Sequence, residues 1–333
     1  MDEHTASQLC RLYAIGALVS PPEQVAGGLL HRMYRLRTAH GEYAVKVLHP
    51  NLVQEPDARE RYRLSERIAA AVAAAHLPAV AALETAGDTI HDLGQATVMV
   101  YPWVDGQALS SASAGPDRAR QIGGILGRIH ALRLHFAALQ PPPLRCYSDA
   151  DWTLLVDEAH RKQTAWAQEL RSALPEIAAW SRLSVEARQA LQGTWVVSHS
   201  DLHQQNVLWS DEQTPWLIDW EAAGLEQPTK EALVAALEWS GLVAGAPDLA
   251  AFRAFLEAYR REAPLSSREA KHGLHACFGN WLGWLQFNMR RSLGAVTDDP
   301  EEQTLGVRQT TGTLVTMRRA ESHLPALAKL CGE

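Results

Sequence analysis

The amino-acid sequence predicts a two-lobed α+β protein, with a small antiparallel sheet on the N-terminal side and a larger, mainly helical lobe after it. Three observations favour this division. Paired strand-like runs occupy the first hundred residues, a linker containing a proline follows, and helical periodicity dominates from residue 116 onward. The expected lobes are therefore residues 1–100 and 107–333, joined by a hinge at residues 101–106.

The N-terminal lobe contains two pairs of strand-like runs with a helix between the pairs. The predicted strands are residues 32–37, 42–48, 88–93 and 95–100. The first run alternates apolar and basic side chains for most of its length, and the turn after it contains Gly41, which predicts an antiparallel hairpin. The stretch from Asp57 to Ala75 is rich in Ala, Arg, Glu and Leu, so we expect a helix there.

The C-terminal part is mostly helical in its periodicity. Residues 116–139 carry apolar side chains at helical spacing, and three consecutive prolines from Pro141 mark a break after them. Residues 149–193 predict further helix, with Pro175 opening a new helix, since proline is favoured in the first turn. Two brief strands are expected at residues 195–197 and 216–218, and helices from residue 230 onward.

Composition and charge exclude several classes of protein. Of the 333 residues, 47% are hydrophobic and 21% are charged, which is ordinary for a soluble globular protein. The formal charge of −7 argues against nucleic acid as the main partner, because a phosphate backbone needs a basic surface. Four widely spaced cysteines, with neither a secretory signal nor an apolar membrane span visible, predict a cytoplasmic protein that does not bind membranes.

The most informative segment is polar at its centre and lies between short apolar runs. It contains Asp201 and, five residues later, Asn206; Asp219 follows the next apolar run. Two carboxylates and an amide oxygen on such loops suit a site for Mg²⁺ and a nucleotide, because magnesium prefers hard oxygen ligands and takes several of them from phosphates and water. A separate carboxylate could also accept a proton from an attacking hydroxyl group.

This segment resembles the catalytic core of the protein-kinase-like phosphotransferases. His-Ser-Asp-Leu-His at 199–203 and Ile-Asp-Trp-Glu at 218–221 are similar in particular to the aminoglycoside phosphotransferase and choline kinase branch. The resemblance implies a protein-kinase-like fold, Asp201 as the catalytic carboxylate, and Asn206 and Asp219 as ligands of Mg²⁺. It also implies ATP or GTP as the phosphate donor. His199 is expected to support the loop rather than to act as an acid or base.

The resemblance extends to the N-terminal lobe, where it implies further nucleotide contacts. Lys46, in the middle of its strand, resembles the lysine that binds the nucleotide phosphates. Glu66 is the implied helix glutamate that pairs with this lysine, and Glu60 is the alternative. Gly27 and Gly28 belong to a stretch that resembles the loop covering the nucleotide, although that stretch is no GxGxxG motif.

The linker is compatible with adenine binding. Kinase-like folds hold the adenine through one backbone carbonyl and through the backbone N–H two residues later. Alignment of residues 101–106 on this pattern puts the carbonyl at Pro102 and the amide at Val104. Proline keeps its carbonyl oxygen but has no N–H, so it is tolerated at the acceptor position only.

The resemblance predicts a kinase that phosphorylates a hydroxyl group of a small polar or cationic molecule, such as an aminoglycoside-like antibiotic. A kinase of choline, ethanolamine, homoserine or another alcohol of primary metabolism is the alternative, because the acceptor pocket decides the substrate. A nucleotide-binding module without turnover is disfavoured. Such a module usually lacks at least one of the key residues of an active kinase, and here all four are present: Lys46, Asp201, Asn206 and Asp219. The sequence leaves the oligomeric state open. Acidic side chains that could bind amines on an acceptor are Asp149, Asp151, Asp157, Glu158, Glu221 and Glu226.

Overall fold

The computed structural model of the chain describes residues 1–25, 31–54, 56–112, 114–144 and 146–332. It has an antiparallel sheet in its N-terminal region and a helical C-terminal part, which confirms the predicted α+β class. The helices are α1 (Glu3–Leu12), α2 (Pro50–Val53), α3 (Ala58–Ala74), α4 (Gly115–Ala131), α5 (Asp149–Arg161), α6 (Ala167–Ala190), α7 (Pro228–Trp239), α8 (Leu249–Glu262), α9 (Ser267–Ser292) and α10 (Pro300–Gly332). The strands are β1 (Glu23–Val25), β2 (Arg32–Thr38), β3 (Gly41–Val47), β4 (His91–Leu93), β5 (Ala96–Pro102), β6 (Gln107–Ala108), β7 (Val196–Ser198), β8 (Val207–Trp209), β9 (Pro215–Leu217) and β10 (Gly224–Glu226).

The chain divides into two compact units, each formed by two segments. The first unit contains residues 1–110 and 197–224, and the second contains residues 111–196 and 225–333. The polar segment around Asp201 therefore belongs to the same unit as the N-terminal sheet. The division into lobes at residues 101–106 stays a prediction.

The first unit is organised around a five-stranded antiparallel sheet with the strand order β1-β2-β3-β5-β4. The predicted hairpin is confirmed, because β2 pairs with β3 and Thr38 lies opposite Gly41 at the turn. Alternate side chains of the hairpin, including Leu36 and Val45, pack with Leu9 of α1 in a buried core. A separate small sheet has the order β6-β8-β9, and its β8–β9 pair lies between Asn206 and Asp219 in the chain.

The second unit is built from helices that approach each other closely. Gly123 and Gly127 of α4 face α8, and a Cβ atom at Gly123 would lie 2.2 Å from the carbonyl oxygen of Phe255. Here the backbones touch because glycine carries no side chain. Among the helices that the structure describes, none is both long and apolar enough to cross a lipid bilayer.

Two predicted helices differ from the observed ones. Pro175 lies inside α6 and does not open a new helix. The neighbouring side chains of Ala173 and Ile177 are fully buried, so packing of this face maintains the helix although proline removes one hydrogen bond. The helix predicted to reach residue 139 ends at Ala131, and Arg133 follows with a left-handed φ of 48°.

Candidate active site

The polar segment forms two loops at one end of the β8–β9 pair. Asp201 lies in the loop between β7 and β8, and Asp219 is the second residue after the end of β9. Two residues of these loops, Ser200 with φ of 66° and Asp219 with φ of 61°, adopt left-handed backbone conformations. Such conformations cost of order 1–3 kcal/mol and cluster at functional sites, so the surrounding contacts must hold both loops in place.

Asp201 presents a half-exposed carboxylate that its neighbours orient. The side-chain amide nitrogen of Asn206 donates to both the main-chain oxygen and Oδ2 of Asp201, each at 2.9 Å. His203 Nδ1 accepts from the backbone N–H of Gln205, so the ring proton lies on Nε2, which is 3.5 Å from Asp201 Oδ2. The carboxylate is thus oriented from two sides.

Partial burial and these neighbours act in opposite directions on the pKa of Asp201. Burial favours the neutral form, but the hydrogen bonds from His203 and Asn206 outweigh it, and the pKa lies below its ordinary value. Asp201 is therefore ionised at neutral pH and can accept a hydrogen bond from a hydroxyl group.

His199 connects the two loops. Its ring is fully buried, packs against Trp220 with 4.5 Å between ring centroids, and lies with Nε2 3.0 Å from the carbonyl oxygen of Ile218. The N–H of Ile218 in turn donates to the main-chain oxygen of Asn206 at 3.0 Å. These contacts agree with the expectation that His199 supports the loop, and they hold Asn206 and Asp219 at the same end of the strand pair.

Lys46 contacts the second loop, although Asp219 lies 173 positions further along the chain. It lies on β3 with its side chain almost fully buried, and its Nζ donates to Asp219 Oδ1 at 2.8 Å. Nζ also donates to Glu221 Oε2 at 2.7 Å. Burial alone would lower the pKa of Lys46, but the two carboxylates raise it above its ordinary value, so the ammonium form is retained.

Glu221 is the centre of a second set of contacts. His31 Nδ1 accepts from the backbone N–H of His49, which leaves the ring proton on Nε2. That nitrogen lies 3.4 Å from Glu221 Oε2 and 3.1 Å from the hydroxyl of Tyr62. Burial acts to raise the pKa of Glu221, but His31 and Lys46 together lower it to about 2.

Glu66 has different partners from those implied by the family resemblance. It is buried, and its carboxylate accepts from the backbone N–H of Ala82 at 2.7 Å and from the hydroxyl of Tyr101 at 2.8 Å. Burial raises the pKa of Glu66 despite these bonds. In this structure the acidic partners of Lys46 are those of the second loop, and the predicted pairing with Glu66 is not formed. Glu60, the alternative, forms an exposed ion pair with Arg63.

The structure describes only two of the four other predicted nucleotide-binding residues, Pro102 and Val104. Gly27 and Gly28 lie outside the described residues. Pro102 ends β5, and the next residue, Trp103, donates its N–H to the main-chain oxygen of Glu42 at 3.1 Å. Among the described residues, none accepts a hydrogen bond from the backbone N–H of Val104.

The donor atoms of Asn206 and Asp219 fit a magnesium ion. Because the amide nitrogen of Asn206 is directed at Asp201, its oxygen Oδ1 is the atom that can take a cation. Asp219 adds a half-exposed carboxylate. Within the described ranges, no three or more His, Cys, Asp or Glu side chains form a metal-binding group. Two hard oxygen donors suit magnesium, which takes its other ligands from phosphates and water.

Sequence reasoning missed one residue of this site, His31, and did not foresee the contact that Glu221 makes with Lys46. Glu221 was named only as an acidic side chain that could bind an amine on an acceptor, and His31 was not singled out. Both are close in sequence to predicted site residues, since Glu221 is two residues after Asp219 and His31 is three residues after Gly28. Glu226, the other acidic candidate there, forms a buried ion pair of 2.7 Å with Lys230, which also donates to Asn280.

Comparisons with known proteins give a family match and several structural likenesses. The profile of the phosphotransferase enzyme family, APH, matches residues 22–265. A comparison with curated protein sequences gave no match.

Solved kinase structures resemble this chain over most of its length. A spectinomycin phosphotransferase in complex with ADP and spectinomycin aligns with a TM-score of 0.71 and 14% identity, over 96% of this chain and 98% of that one. For an amicoumacin kinase in complex with AMP-PNP and Ca²⁺, the TM-score is 0.61 and the identity 14%, over 92% of both chains. The choline kinase of Streptococcus pneumoniae has a TM-score of 0.60 and 17% identity, over 94% of this chain and 99% of that one. These likenesses show that the fold is the kinase-like one.

Proposed function

The chain belongs to the phosphotransferase enzyme family, and from this premise we propose that it moves the γ-phosphate of ATP or GTP to a hydroxyl group of a small polar or cationic molecule. The observation that carries the proposal is the convergence of Lys46, from the sheet, on Asp219, from the loop after β9. Asp201 and Asn206 lie at the same end of the β8–β9 pair. A buried cation beside oxygen donors and a half-exposed carboxylate is the set of groups that phosphoryl transfer needs.

The nucleotide would be held by groups from the sheet and the linker. Lys46 would bind the phosphates, exchanging one of its present carboxylate partners for a phosphate oxygen. The backbone carbonyl of Pro102 and the N–H of Val104 would hold the adenine, and Gly27 and Gly28 would cover the phosphates. On this proposal residues 1–100 form the nucleotide lobe, with residues 101–106 as the hinge to the rest.

Asn206 and Asp219 would hold the magnesium ion through Oδ1 of the amide and through the carboxylate. A bound magnesium ion supplies charge neutralisation for the phosphates of the nucleotide. His199 keeps both residues in place through its contact with Ile218. The likeness to the amicoumacin kinase, whose complex contains a nucleotide analogue and Ca²⁺, supports a divalent cation here.

Asp201 would orient the acceptor hydroxyl group and take its proton. The oxygen of the acceptor forms a bond to the γ-phosphorus, the bond from that phosphorus to the bridging oxygen breaks, and the nucleoside diphosphate leaves. Asn206 and His203 hold the carboxylate in place, so the main contribution of Asp201 is positioning rather than strong basicity.

The favoured acceptor is an aminoglycoside-like antibiotic or a related metabolite. The likeness to the spectinomycin phosphotransferase over almost the whole chain supports this class. A kinase of choline or another primary alcohol is the second candidate, supported by the likeness to the choline kinase over 94% of the chain. The net charge of −7 is compatible with a cationic acceptor in both cases.

A coupled assay of nucleotide consumption tests the proposal. Wild type, Asp201→Asn and the control Asp211→Asn would be assayed with ATP and GTP against aminoglycosides, cyclic peptide antibiotics, choline-like amines and amino alcohols. Asp211 is exposed and holds only a surface turn, so its variant should keep wild-type turnover. Asp201→Asn should lower kcat by about 10²–10⁴ and leave the nucleotide Kd unchanged.

Two results would contradict the proposal. Full turnover in Asp201→Asn would show that another group positions the acceptor. Nucleotide binding without consumption in any acceptor class would favour a nucleotide-binding module without turnover.

A further inference from the structure

The chain that follows β5 is joined to the five-stranded sheet through Trp103. Trp103 is the first residue after β5, and its N–H donates to the main-chain oxygen of Glu42 on β3 at 3.1 Å. In the part of the chain that the structure describes, no later residue of the linker at 101–106 donates a backbone N–H to this sheet. The position of the linker at this end therefore depends on Trp103.

The side chain of Arg35 lies over the ring of Trp103. The central carbon of its guanidinium is 4.4 Å from the centroid of the indole, which is a cation–π distance. The same guanidinium donates through Nε to Glu42 Oε2 at 2.8 Å, and its Nη2 bonds to the same oxygen. Arg35, Glu42 and Trp103 thus form one connected group, which we call the linker clamp.

The linker clamp lies on the same face of the sheet as Lys46. Arg35 is directly opposite Ala44 in the β2–β3 pairing, and directly opposed residues share a face. Glu42 and Lys46 are each two residues from Ala44 along β3, and alternate residues of a strand also share a face. The linker clamp is therefore on the face that carries the lysine expected to bind phosphate.

The linker clamp leaves the base-binding groups of the linker free. Neighbouring residues of a strand direct their backbone groups to opposite edges, and the N–H of Trp103 is directed at β3. Val100 is directed to the other edge, since its main-chain oxygen accepts from the N–H of Leu83 at 2.7 Å. Pro102 is two residues after Val100 in the same strand, so its carbonyl points to that edge as well, away from β3.

The far end of the linker is packed closely against β8. A Cβ atom at Gly106 would lie 3.0 Å from both the main-chain carbon and the main-chain oxygen of Trp209. That distance is shorter than ordinary van der Waals contact, so the absence of a side chain allows this approach. Val104 therefore lies between one residue bonded to the sheet, Trp103, and one residue packed on β8.

We propose that Arg35 and Trp103 are positioning residues for the nucleotide, a role that rests on the function proposed above. The linker clamp holds the linker so that the carbonyl of Pro102 and the N–H of Val104 are already placed to bind the adenine. A linker that is fixed before binding loses less conformational freedom when the base binds, and the affinity for the base is higher for that reason.

Calorimetric titrations of Arg35→Met with adenosine, ATP and inorganic triphosphate test the proposal. Adenosine reports on the base contacts alone, whereas triphosphate reports on the phosphate contacts alone. Arg37→Met is the matched control, because Arg37 is on the same strand and pairs with Glu23 and Glu42 rather than with the ring. We expect Arg35→Met to bind adenosine and ATP about five- to tenfold more weakly than Arg37→Met does, and triphosphate equally.

Variants of Trp103 separate the contribution of its ring from that of its size. The indole Nε1 is buried without a hydrogen-bond partner among the described residues, so Trp103→Phe removes no hydrogen bond and keeps a ring for Arg35. Trp103→Phe should bind adenosine as the wild type does, and Trp103→Leu as weakly as Arg35→Met does. The double variant Arg35→Met/Trp103→Leu should be no weaker than either single one, because both remove the same contact.

Three results would overturn the proposal. The first is equal adenosine binding by Arg35→Met and Arg37→Met. The second is a loss of triphosphate binding in Arg35→Met that matches its loss of adenosine binding, because the linker clamp would then support the fold of the whole site. The third is a wild type that binds triphosphate but not adenosine, since the linker would then offer no site for a base.

Failure of this proposal is distinct from failure of the proposed function. A wild type that binds adenosine and ATP but consumes no nucleotide with any acceptor would contradict the phosphotransferase activity alone. The comparison of Arg35→Met with Arg37→Met would still decide the role of the linker clamp, because it measures binding and not turnover. The unfolding temperature of each variant shows whether it is folded.

Discussion

Lys46 donates a hydrogen bond of 2.7 Å to Glu221, the residue two positions after the candidate metal ligand Asp219. A nucleotide phosphate bound by Lys46 would use the same ammonium group. Glu221 and the phosphates therefore compete for one cation in the arrangement that the structure shows. His31, 3.4 Å from Glu221, is a second partner that can hold the carboxylate when Lys46 turns to a phosphate.

Glu221→Gln should strengthen the binding of metal-free ATP several-fold. The substitution keeps the size of the side chain but removes the negative charge beside Lys46, so a phosphate no longer displaces an anion. Calorimetric titration with ATP in the presence of a chelator measures the change. Glu212→Gln, an exposed substitution of the same chemistry, is the matched control and should bind as the wild type does. Weaker binding in Glu221→Gln would show that this carboxylate assists the nucleotide.

Asp219→Ala should remove the dependence of nucleotide binding on magnesium. The variant loses the carboxylate that would ligate the ion. It also frees one N–H donor of the Lys46 ammonium group for the phosphates. The measurement is a pair of ATP titrations, with magnesium and with a chelator, which should give the same Kd in the variant and different values in the wild type. Glu212→Ala is the control. A variant that still responds to magnesium as the wild type does would move the metal site away from Asp219.

Tyr101→Phe should lower the free energy of unfolding by about 1–3 kcal/mol, because it leaves a buried carboxylate oxygen of Glu66 without its donor. Denaturant unfolding of the variant measures this loss. Tyr43→Phe, on the neighbouring strand β3, removes a hydroxyl that has no hydrogen bond among the described residues and should cost much less. Equal stability of the two variants would mean that Glu66 does not rely on Tyr101 for its place in the first unit.

Local patterns in the sequence were sufficient for the β2–β3 hairpin and for the first long helix, but they did not predict β1. Alternation in β2 and β3 around Gly41 predicted a hairpin whose observed strands differ by one residue at most. The helix predicted from Asp57 begins one residue later, at Ala58. These signals are local, because the spacing of hydrophobic residues and the residues of a turn indicate secondary structure within a few positions of the chain. The short helix α1 was not predicted, although Asp2 caps it through a 2.7 Å bond to the N–H of Thr5.

Contacts between distant segments could not be derived in this way. The resemblance selected Lys46 and Asp219 but could not show that Glu221 shares the ammonium, because that contact joins residues 175 positions apart. The partners of Glu66 depend on where Ala82 and Tyr101 fold, which no spacing near Glu66 indicates. At Pro175 a local signal was present but misleading. Proline favours the first turn of a helix, yet tertiary packing keeps Pro175 inside α6.

The pair formed by Asp88 and Arg63 predicts how the stability of the first unit depends on pH. Both oxygens of Asp88 accept from the Arg63 guanidinium, at 2.9 and 2.7 Å, and this contact lowers the pKa of Asp88 from 3.8 to about 2. A carboxylate whose pKa is lower in the folded state stabilises the fold above the pKa of the unfolded chain. That stabilisation is lost as the pH falls from about 4 to about 2.

Asp88→Asn should therefore lower the free energy of unfolding by about 1 kcal/mol at pH 7, a value reduced for the partial exposure of the pair. The difference from the wild type should shrink below pH 4 and be largely lost near pH 2, because the carboxyl is then protonated in the unfolded chain and about half protonated in the folded protein. Denaturant unfolding at a series of pH values measures both effects. Asp117→Asn is the control, since Asp117 pairs with Arg120 while its own side chain is 92% exposed, and such pairs contribute little. A deficit in Asp88→Asn that stayed constant down to pH 2 would assign it to lost packing instead of to the charge of Asp88.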